Sequence, residues 1–143
     1  MAGQILFGTM LLSVCTTIHL VVIVFWVHRL RGLQAWIASH RTLGPTAFAI
    51  GGTLVVIVLS HSIQVWLIAA VVVVIGALST LSDALYFSLV TYTTVGYGDI
   101  TLEPDHRIFG AMASVTGLLN FGISTAVLVA VVTRVLRLPA DQG

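Results

Sequence analysis

The chain has 143 residues, of which 58% are hydrophobic and only 8% are charged, with a formal net charge of +1. Ordinary soluble domains carry roughly 25% charged residues, so this composition excludes a soluble globular protein and predicts a chain that lies mostly in lipid. A single cysteine, Cys15, excludes an intrachain disulfide bond.

Three long stretches without Asp, Glu, Lys or Arg organise the chain, and each is long enough to cross a membrane. A membrane-spanning helix needs about 20 apolar residues. The charge-free stretches cover residues 1–28, 42–82 and 108–133. We therefore expect spanning helices over residues 1–28, 46–78 and 107–136, with a short tail over residues 138–143.

The first spanning helix is expected to be retained and not cleaved as a signal peptide. Signal peptides carry basic residues ahead of their apolar core, whereas Arg29 and Arg31 follow the apolar run here. Residues 29–45 then form a cytoplasmic linker whose arginine and tryptophan side chains suit a helix at the inner membrane interface. Either a plain anchor or a contact that signals to a gate fits this linker.

A shorter apolar segment, "SDALYFSLVTYT", lies between the second and third spans and predicts a helix over residues 82–93. Ser82 or Asp83 can cap its first turn, and Asp83 also suits the positive N-terminal end of a helix. At about 1.5 Å per residue, this helix covers only about half of a bilayer crossing. We therefore expect a helix that enters the membrane without crossing it.

Two glycines follow in the segment "TVGYG" over residues 94–98. Non-helical backbone in a membrane is costly unless it lies inside protein or lines water. Gly96 and Gly98 allow positive φ angles, so successive carbonyl groups can point to one side. Such a row of oxygens can replace the water around a dehydrated cation. The short helix and this segment together predict a re-entrant pore loop.

Charge placement favours one orientation of the three spans. Arginine is favoured on the cytoplasmic side of a membrane protein. An external N-terminus and a cytoplasmic C-terminus, in a multi-pass protein of the plasma (inner) membrane, place most arginines inside and most acids outside. The internal arginines would be Arg29, Arg31, Arg41, Arg134 and Arg137, and the external acids would be Asp83, Asp99, Glu103 and Asp105. Arg107 and Asp141 are the exceptions.

The sequence "TTVGYGD" at residues 93–99 is identical at all seven positions to the signature of potassium channels. The longer "ALYFSLVTYTTVGYGDI" is similar to the pore helix and filter of the bacterial two-transmembrane ion-channel family, and "GLLNFG" at residues 117–122 resembles the middle of its inner helix. The likeness covers residues 46–137, the expected pore domain. It implies an all-α membrane protein with an outer helix, a re-entrant pore helix and filter loop, and an inner helix, preceded by one additional transmembrane helix.

The resemblance also implies a potassium site and an assembly of four chains. One chain supplies one loop and a carbonyl ring around potassium needs four, so a homotetramer is expected. The expected ligands of the permeant K⁺ ions are the carbonyls of Thr94, Val95, Gly96 and Tyr97 and the Thr94 hydroxyl, and the expected supporting residues are Tyr86, Thr93, Gly98 and Asp99. The side chains of Val95 and Tyr97 would point away from the ions. No organic cofactor is expected. The expected partners are other copies of this chain and the lipid bilayer, and not nucleic acid.

The chain departs from the family pattern beside the filter. Many relatives have two tryptophans where this chain has Tyr86 and Phe87, and some have an acid where it has Val90. The resemblance implies that Asp99 braces the filter from behind. Without an acid at Val90, the expected partner of Asp99 is the hydroxyl of Tyr86.

One stripe of the third spanning helix is expected to line the pore. Its members are three or four residues apart, which places them on one face of a helix. By resemblance this face lines the cavity below the filter, and the alternative is an ordinary packing or lipid-facing stripe. The stripe consists of Leu118, Phe121, Thr125, Val129 and Val132.

Two features of the same helix bear on gating. Val129 and Val132 predict an apolar gate that stops conduction by dewetting when the helices converge. Gly117 matches the hinge glycine of the family, and close packing against a neighbouring helix would equally explain it.

His61 and Gln64 lie near the centre of the second span, one helical turn apart. Polar side chains at that depth need partners and mark functional sites by default. A structural hydrogen bond between helices and a pH-responsive contact both fit this pair. The candidate partners are Thr16, Thr17 and His19 of the first helix and Asn120 of the third.

These patterns predict a potassium-selective channel that conducts K⁺ passively, and not an enzyme. No paired carboxylates, activated nucleophile or metal-ligand spacing indicates catalysis, and no helix carries the arginine repeat of a voltage sensor. The alternatives are a weakly selective cation channel, a non-conducting membrane subunit with a pore-like fold, and a potassium transporter subunit. Transporters of that kind carry four imperfect loops in one long chain, whereas this chain has one complete loop.

Overall fold

The structure is a computed structural model that describes residues 2–32 and 43–137. All regular secondary structure in those two ranges is helical. The helices are α1 (Ala2–Gly32), α2 (Leu43–Val74), α3 (Leu81–Tyr92) and α4 (Arg107–Arg137). Most of the predicted interfacial linker and the whole predicted tail lie outside the described residues.

Three of these helices are long and apolar enough to cross a membrane, and they are α1, α2 and α4. With 12 residues, α3 is too short to cross. The prediction of an all-α membrane protein with three spans and one shorter helix is therefore confirmed.

Contacts at the two ends of the bundle set the directions of the helices. Gln4 of α1 donates from Nε2 to the carbonyl of Pro104 at 3.3 Å, and its Oε1 accepts from the amide of Ile108 at 3.2 Å. At the opposite end, Leu30 of α1 packs in one cluster with Ala49 of α2 and Val131 of α4. α1 and α4 therefore run parallel, α2 runs antiparallel to both, and the loop after α3 lies at the same end as the N-terminus.

Glycines let α1 pack closely against its two long neighbours. A Cβ atom at Gly8 would lie 2.7 Å from Cγ of Met112 in α4, and one at Gly52 of α2 would lie 2.6 Å from Cζ2 of Trp26. Trp26 also donates from Nε1 to Oγ1 of Thr53 at 2.9 Å. Since small residues are what allows helix backbones to approach in lipid, α1 is an integral part of the bundle.

The buried core joins α3 to all three long helices. Ala84 and Phe87 of α3 lie in one apolar cluster with Leu11 of α1, Val72 of α2 and Phe109 of α4. This packing on several sides positions the C-terminal end of α3 inside the bundle, and the glycine-containing segment begins from that end.

The predicted end of the second span at residue 78 is wrong, because α2 ends at Val74. Gly76 adopts a φ of 71°. Its amide donates to the carbonyl of Val73, and the amide of Ala77 donates to the carbonyl of Val72, both at 3.0 Å. This pair of bonds is the Schellman motif, in which a left-handed glycine terminates a helix.

The other helix boundaries differ from the predictions by a few residues. Thr80 caps α3, because its hydroxyl accepts from the amide of Asp83 at 3.1 Å, so the prediction of a cap at Ser82 or Asp83 is wrong. Asp83 lies in the first turn, where its charge suits the helix dipole. α1 continues to Gly32, so both Arg29 and Arg31 lie in its last turn and not in a linker.

Candidate functional site

Residues 93–99, named here the glycine loop, follow directly after α3 and alternate in backbone conformation. φ is 61° at Thr94, 58° at Gly96 and 80° at Gly98. Glycine adopts positive φ at little cost. A β-branched residue such as threonine rarely does, so Thr94 is held there against its own preference. The predicted positive φ at the two glycines is present, and Thr94 extends the alternation to a third residue.

The amide groups of the glycine loop turn back toward α3. The amides of Val95 and Gly96 both donate to the carbonyl of Val90, at 3.0 and 3.2 Å, and the amide of Thr94 donates to the carbonyl of Thr91 at 3.0 Å. Within residues 2–32 and 43–137, no hydrogen bond uses the carbonyls of residues 94–97 as acceptors. These carbonyl oxygens are therefore available to a cation.

The C-terminal end of the glycine loop is tied to α3 by one short hydrogen bond. The hydroxyl of Tyr86 donates to Oδ2 of Asp99 at 2.6 Å, which is the contact that the sequence predicts. This bond is the main reason that the pKa of Asp99 lies below its ordinary value and that the pKa of Tyr86 lies above its own. At the N-terminal end of the loop, Thr93 donates from Oγ1 to the carbonyl of Leu89 at 2.7 Å.

Gly117 lies where α4 crosses the C-terminal end of α3. A Cβ atom at this position would overlap the backbone carbonyl of Tyr92. Gly110, two turns earlier in α4, faces the ring of Phe87. A Cβ atom at Gly110 would lie 3.2 Å from Cζ of Phe87. Close packing, one of the two explanations that the sequence allows for Gly117, is thus observed, whereas its role as a hinge stays a prediction.

The predicted pore-lining stripe is mostly free of contacts within one protomer. Leu118, Thr125 and Val129 are exposed, and Val132 is half-buried. Phe121 differs from them, because its ring stacks on that of His61 with 4.3 Å between centroids. Phe121 is therefore a packing residue of the α2–α4 contact as much as a member of an open stripe.

A family model described as an ion channel matches residues 53–134, more than half of the chain. The chain belongs to this ion channel family. The match takes in most of α2, all of α3 and the glycine loop, and most of α4, and it leaves α1 outside. Neither a curated protein nor a solved structure matches the chain. Membership of the family favours ion transport over catalysis.

The structure of the channel brings together the polar side chains near the centre of α2. His61 lies 2.8 Å from the Tyr92 hydroxyl through Nδ1 and 3.0 Å from the Ser124 hydroxyl through Nε2. Gln64 donates from Nε2 to the carbonyl of Cys15 at 2.8 Å, and it accepts from Nδ2 of Asn120 at 3.4 Å.

Of the four predicted partners of this pair, Asn120 makes the expected hydrogen bond, and it does so to Gln64. The ring of His19 lies 5.0 Å from that of His61 and shares the hydroxyl of Ser124 with it. Thr16 has a buried hydroxyl without a hydrogen-bond partner among the described residues, and no hydrogen bond within those residues joins Thr17 to the pair. Sequence reasoning missed Tyr92 and Ser124. The spacing of Asn120 and Ser124, one turn apart on α4, was a usable signal for the second of them.

Proposed function

We propose that this protein is a potassium-selective channel that conducts K⁺ passively through a filter built by four copies of the glycine loop. The observation that supports the proposal most strongly is the alternation of positive φ at Thr94, Gly96 and Gly98, together with amides turned toward α3 and free carbonyls. A row of such oxygens replaces the hydration shell of a monovalent cation.

In this proposal the K⁺ ligands are the carbonyls of Thr94, Val95, Gly96 and Tyr97, with the Thr94 hydroxyl at the inner end. Tyr86, Thr93, Gly98 and Asp99 support them. α3 adds an electrostatic contribution, because the negative C-terminal end of a helix stabilises a nearby cation. Tyr92, the last residue of α3, is completely buried, so this end of the helix dipole acts in a medium with little water to screen it.

A homotetramer accounts for the apolar surface around the glycine loop. Val95 is 52% exposed, Tyr97 73% and Leu118 65% in one protomer. Exposed apolar side chains next to a loop that must be held in one conformation favour burial by neighbouring subunits. Four loops around one axis also supply the complete carbonyl ring that a single loop cannot form.

The charge distribution supports an external position for the glycine loop. Arg29 and Arg31 lie at one end of the bundle, in the last turn of α1, as the cytoplasmic side favours. The opposite end carries four acids and one arginine, a net charge of −3 per chain. Such an excess concentrates cations at a channel mouth over about 8 Å at physiological salt. We propose the plasma membrane, with the N-terminus outside and the C-terminus inside.

Potassium flux from liposomes that contain the purified protein tests this function. The proposal predicts K⁺ efflux that external Ba²⁺ blocks. It also predicts that Gly96→Ala abolishes the flux, because alanine at a φ of 58° is strained. Gly51→Ala is the matched control, since a Cβ at either glycine has open space in the protomer and Gly51 is helical. Absence of flux from the wild-type protein would favour a non-conducting subunit.

A further inference from the structure

A chain of polar side chains, all buried except the half-buried His61, joins all four helices at the level of the C-terminal end of α3. His19 of α1 lies 2.8 Å from the Ser60 hydroxyl through Nδ1 and 2.9 Å from the Ser124 hydroxyl through Nε2. His61 continues from Ser124 through Nε2 to Tyr92 through Nδ1. The contacts therefore form one unbranched path from Ser60 to Tyr92.

A backbone carbonyl sets the direction of the hydrogen bonds along this path. The carbonyl of Cys15 can only accept, so Gln64 directs its Nε2 amide to it. Oε1 of Gln64 consequently faces Asn120, whose Nδ2 lies 3.4 Å from that oxygen and 3.4 Å from the Tyr92 hydroxyl. Reversing the amide of Asn120 would place its oxygen against the Gln64 oxygen, two acceptors without a proton between them.

The position of each proton along the path then follows. The hydroxyl oxygen of Tyr92 already accepts a hydrogen bond from Asn120. The Tyr92 hydroxyl therefore donates its hydrogen to Nδ1 of His61, which is the acceptor within reach. A neutral imidazole has one donor and one acceptor, so His61 carries its proton on Nε2 and donates it to Ser124. Ser124 donates to Nε2 of His19, and His19, protonated on Nδ1, donates to Ser60.

We propose that this path makes His61 a positioning residue for the filter. His61 is neutral and carries its proton on Nε2, so its Nδ1 accepts a hydrogen bond from the Tyr92 hydroxyl. This bond fixes the C-terminal end of α3. His19 takes the opposite tautomer, protonated on Nδ1, and joins the additional helix α1 to the same support. The part of the inference that concerns the filter rests on the proposed function.

Tyr92 is well placed to pass a displacement on to the filter. It is the last residue of α3 and is completely buried. Its carbonyl touches Gly117, and its ring lies 5.7 Å from that of His61 and 5.6 Å from that of Phe121. Thr94, the innermost proposed K⁺ ligand, follows two residues later. A Tyr92 hydroxyl left without an acceptor in this apolar setting would therefore favour a shift of the backbone that leads into the filter.

The surroundings of the two histidines favour neutral rings over a charged pair. The ring centroids are 5.0 Å apart, and two like charges at that distance repel each other. The titratable groups that face His61 are His19 from α1 and Tyr92 from α3, while α4 presents Ser124 and Phe121, which do not titrate. A metal ion is not favoured here, because no group of three His, Cys, Asp or Glu side chains comes together within the described residues.

Solid-state ¹⁵N NMR of the full-length protein in liposomes, with ¹⁵N-labelled histidine side chains, measures the tautomers of His19 and His61. A background with His28→Gln, His40→Gln and His106→Gln leaves His19 and His61, and the signals that a further His19→Gln variant removes are assigned to His19. At neutral pH we expect a protonated Nε2 in His61 and a protonated Nδ1 in His19. The same tautomer in both rings, or an imidazolium in either, would overturn the proposal.

The role of the Cys15 carbonyl is tested in the same spectra by Gln64→Leu. This substitution frees Asn120 to turn over, so we expect mixed tautomers in both histidines. Ser62→Ala is the control, since Ser62 lies between His61 and Gln64 in sequence but donates to the carbonyl of Val58 on the exposed side of α2. Unchanged single tautomers in Gln64→Leu would contradict the assigned direction of the path.

The positioning role is tested by comparing His61→Asn with His61→Leu. Oδ1 of asparagine lies where histidine has Nδ1, so it can accept a hydrogen bond from the Tyr92 hydroxyl. Leucine has no atom that can accept this bond. We expect a K⁺/Na⁺ permeability ratio close to wild type for His61→Asn and a several-fold lower ratio for His61→Leu. Equal ratios in both variants would overturn the positioning role. Lack of K⁺ flux in the wild-type channel would instead contradict the proposed function and leave the NMR result standing.

Discussion

The hydroxyl of Tyr86 and the carboxylate of Asp99 form a hydrogen bond of 2.6 Å that connects the middle of α3 to the C-terminal end of the glycine loop. Thirteen residues separate the two along the chain, and the loop turns back on α3 between them. Charge-assisted bonds of this kind are roughly twice as strong as neutral ones. Within the described residues, this is the single side-chain hydrogen bond that ties the C-terminal end of the loop to a helix.

Tyr86→Phe should destabilise the C-terminal end of the glycine loop, the proposed filter, because it removes the donor and keeps the ring. We expect inactivation to become several-fold faster and the K⁺/Na⁺ permeability ratio to fall. Single-channel or macroscopic recordings in planar bilayers measure both. Unchanged inactivation and selectivity would show that Asp99 holds the loop in some other way.

The same bond predicts how acid acts on the proposed filter. The bond to Tyr86 lowers the pKa of Asp99 below its ordinary value of 3.8. A carboxylate with a lowered pKa stabilises the folded state above its ordinary pKa, and this contribution disappears as pH falls through the lowered value. Filter stability should therefore be constant from neutral pH down to about that ordinary value and decrease below it.

An external pH titration of the inactivation rate measures this dependence. In Tyr86→Phe this hydrogen bond is already absent, so most of the acid-induced change in inactivation rate should be lost. An acid-induced change of the same size in both proteins would contradict the assignment to this bond.

Gly117→Ala should destabilise the fold, because the added Cβ overlaps the carbonyl of Tyr92. Overpacking of a well-packed interior costs about 1–3 kcal/mol. Gly122→Ala is the matched control on the same helix, since a Cβ there meets nothing within 4 Å in the protomer. Thermal unfolding in detergent should separate the two variants. Equal stability, with altered gating in Gly117→Ala alone, would favour a hinge over close packing.

Val132→Ser and Val132→Asp should raise the basal current if an apolar constriction closes the channel. A polar ring at this position allows water to fill a constriction that an apolar ring keeps dry. Ala130→Ser is the control, since Ala130 is exposed and lies off the stripe. Open probability in planar bilayers is the measurement, and no change in either Val132 variant would remove the gate from this position.

The glycine loop could be predicted because its chemistry is local. Gly96 and Gly98 permit positive φ by themselves, and the charge-free stretches on either side reveal the membrane around them. The positive φ of Thr94 could not be predicted, because threonine resists it. The neighbouring amides of Val95 and Gly96, which converge on the carbonyl of Val90, hold Thr94 in that conformation.

The polar chain around His61 shows what depends on tertiary structure. Its need for partners follows from its depth in the membrane. The partners of His61 depend on how α1 and α4 are rotated about their axes, which the sequence does not reveal. A serine in an apolar helix ordinarily donates to a carbonyl of its own preceding turn, as Ser62 does. Ser124 instead faces inward and joins two histidines. The end of α2, by contrast, could have been predicted from Gly76, because a glycine in this position commonly terminates a helix.

The central claim is that carbonyls of residues 94–97 replace the hydration shell of potassium, and the bi-ionic reversal potential tests it most directly. With K⁺ on one side of a planar bilayer and Na⁺ on the other, we expect a reversal potential shifted far toward K⁺ selectivity in the wild-type channel. A wild-type reversal potential near zero would contradict the claim and identify a weakly selective cation channel.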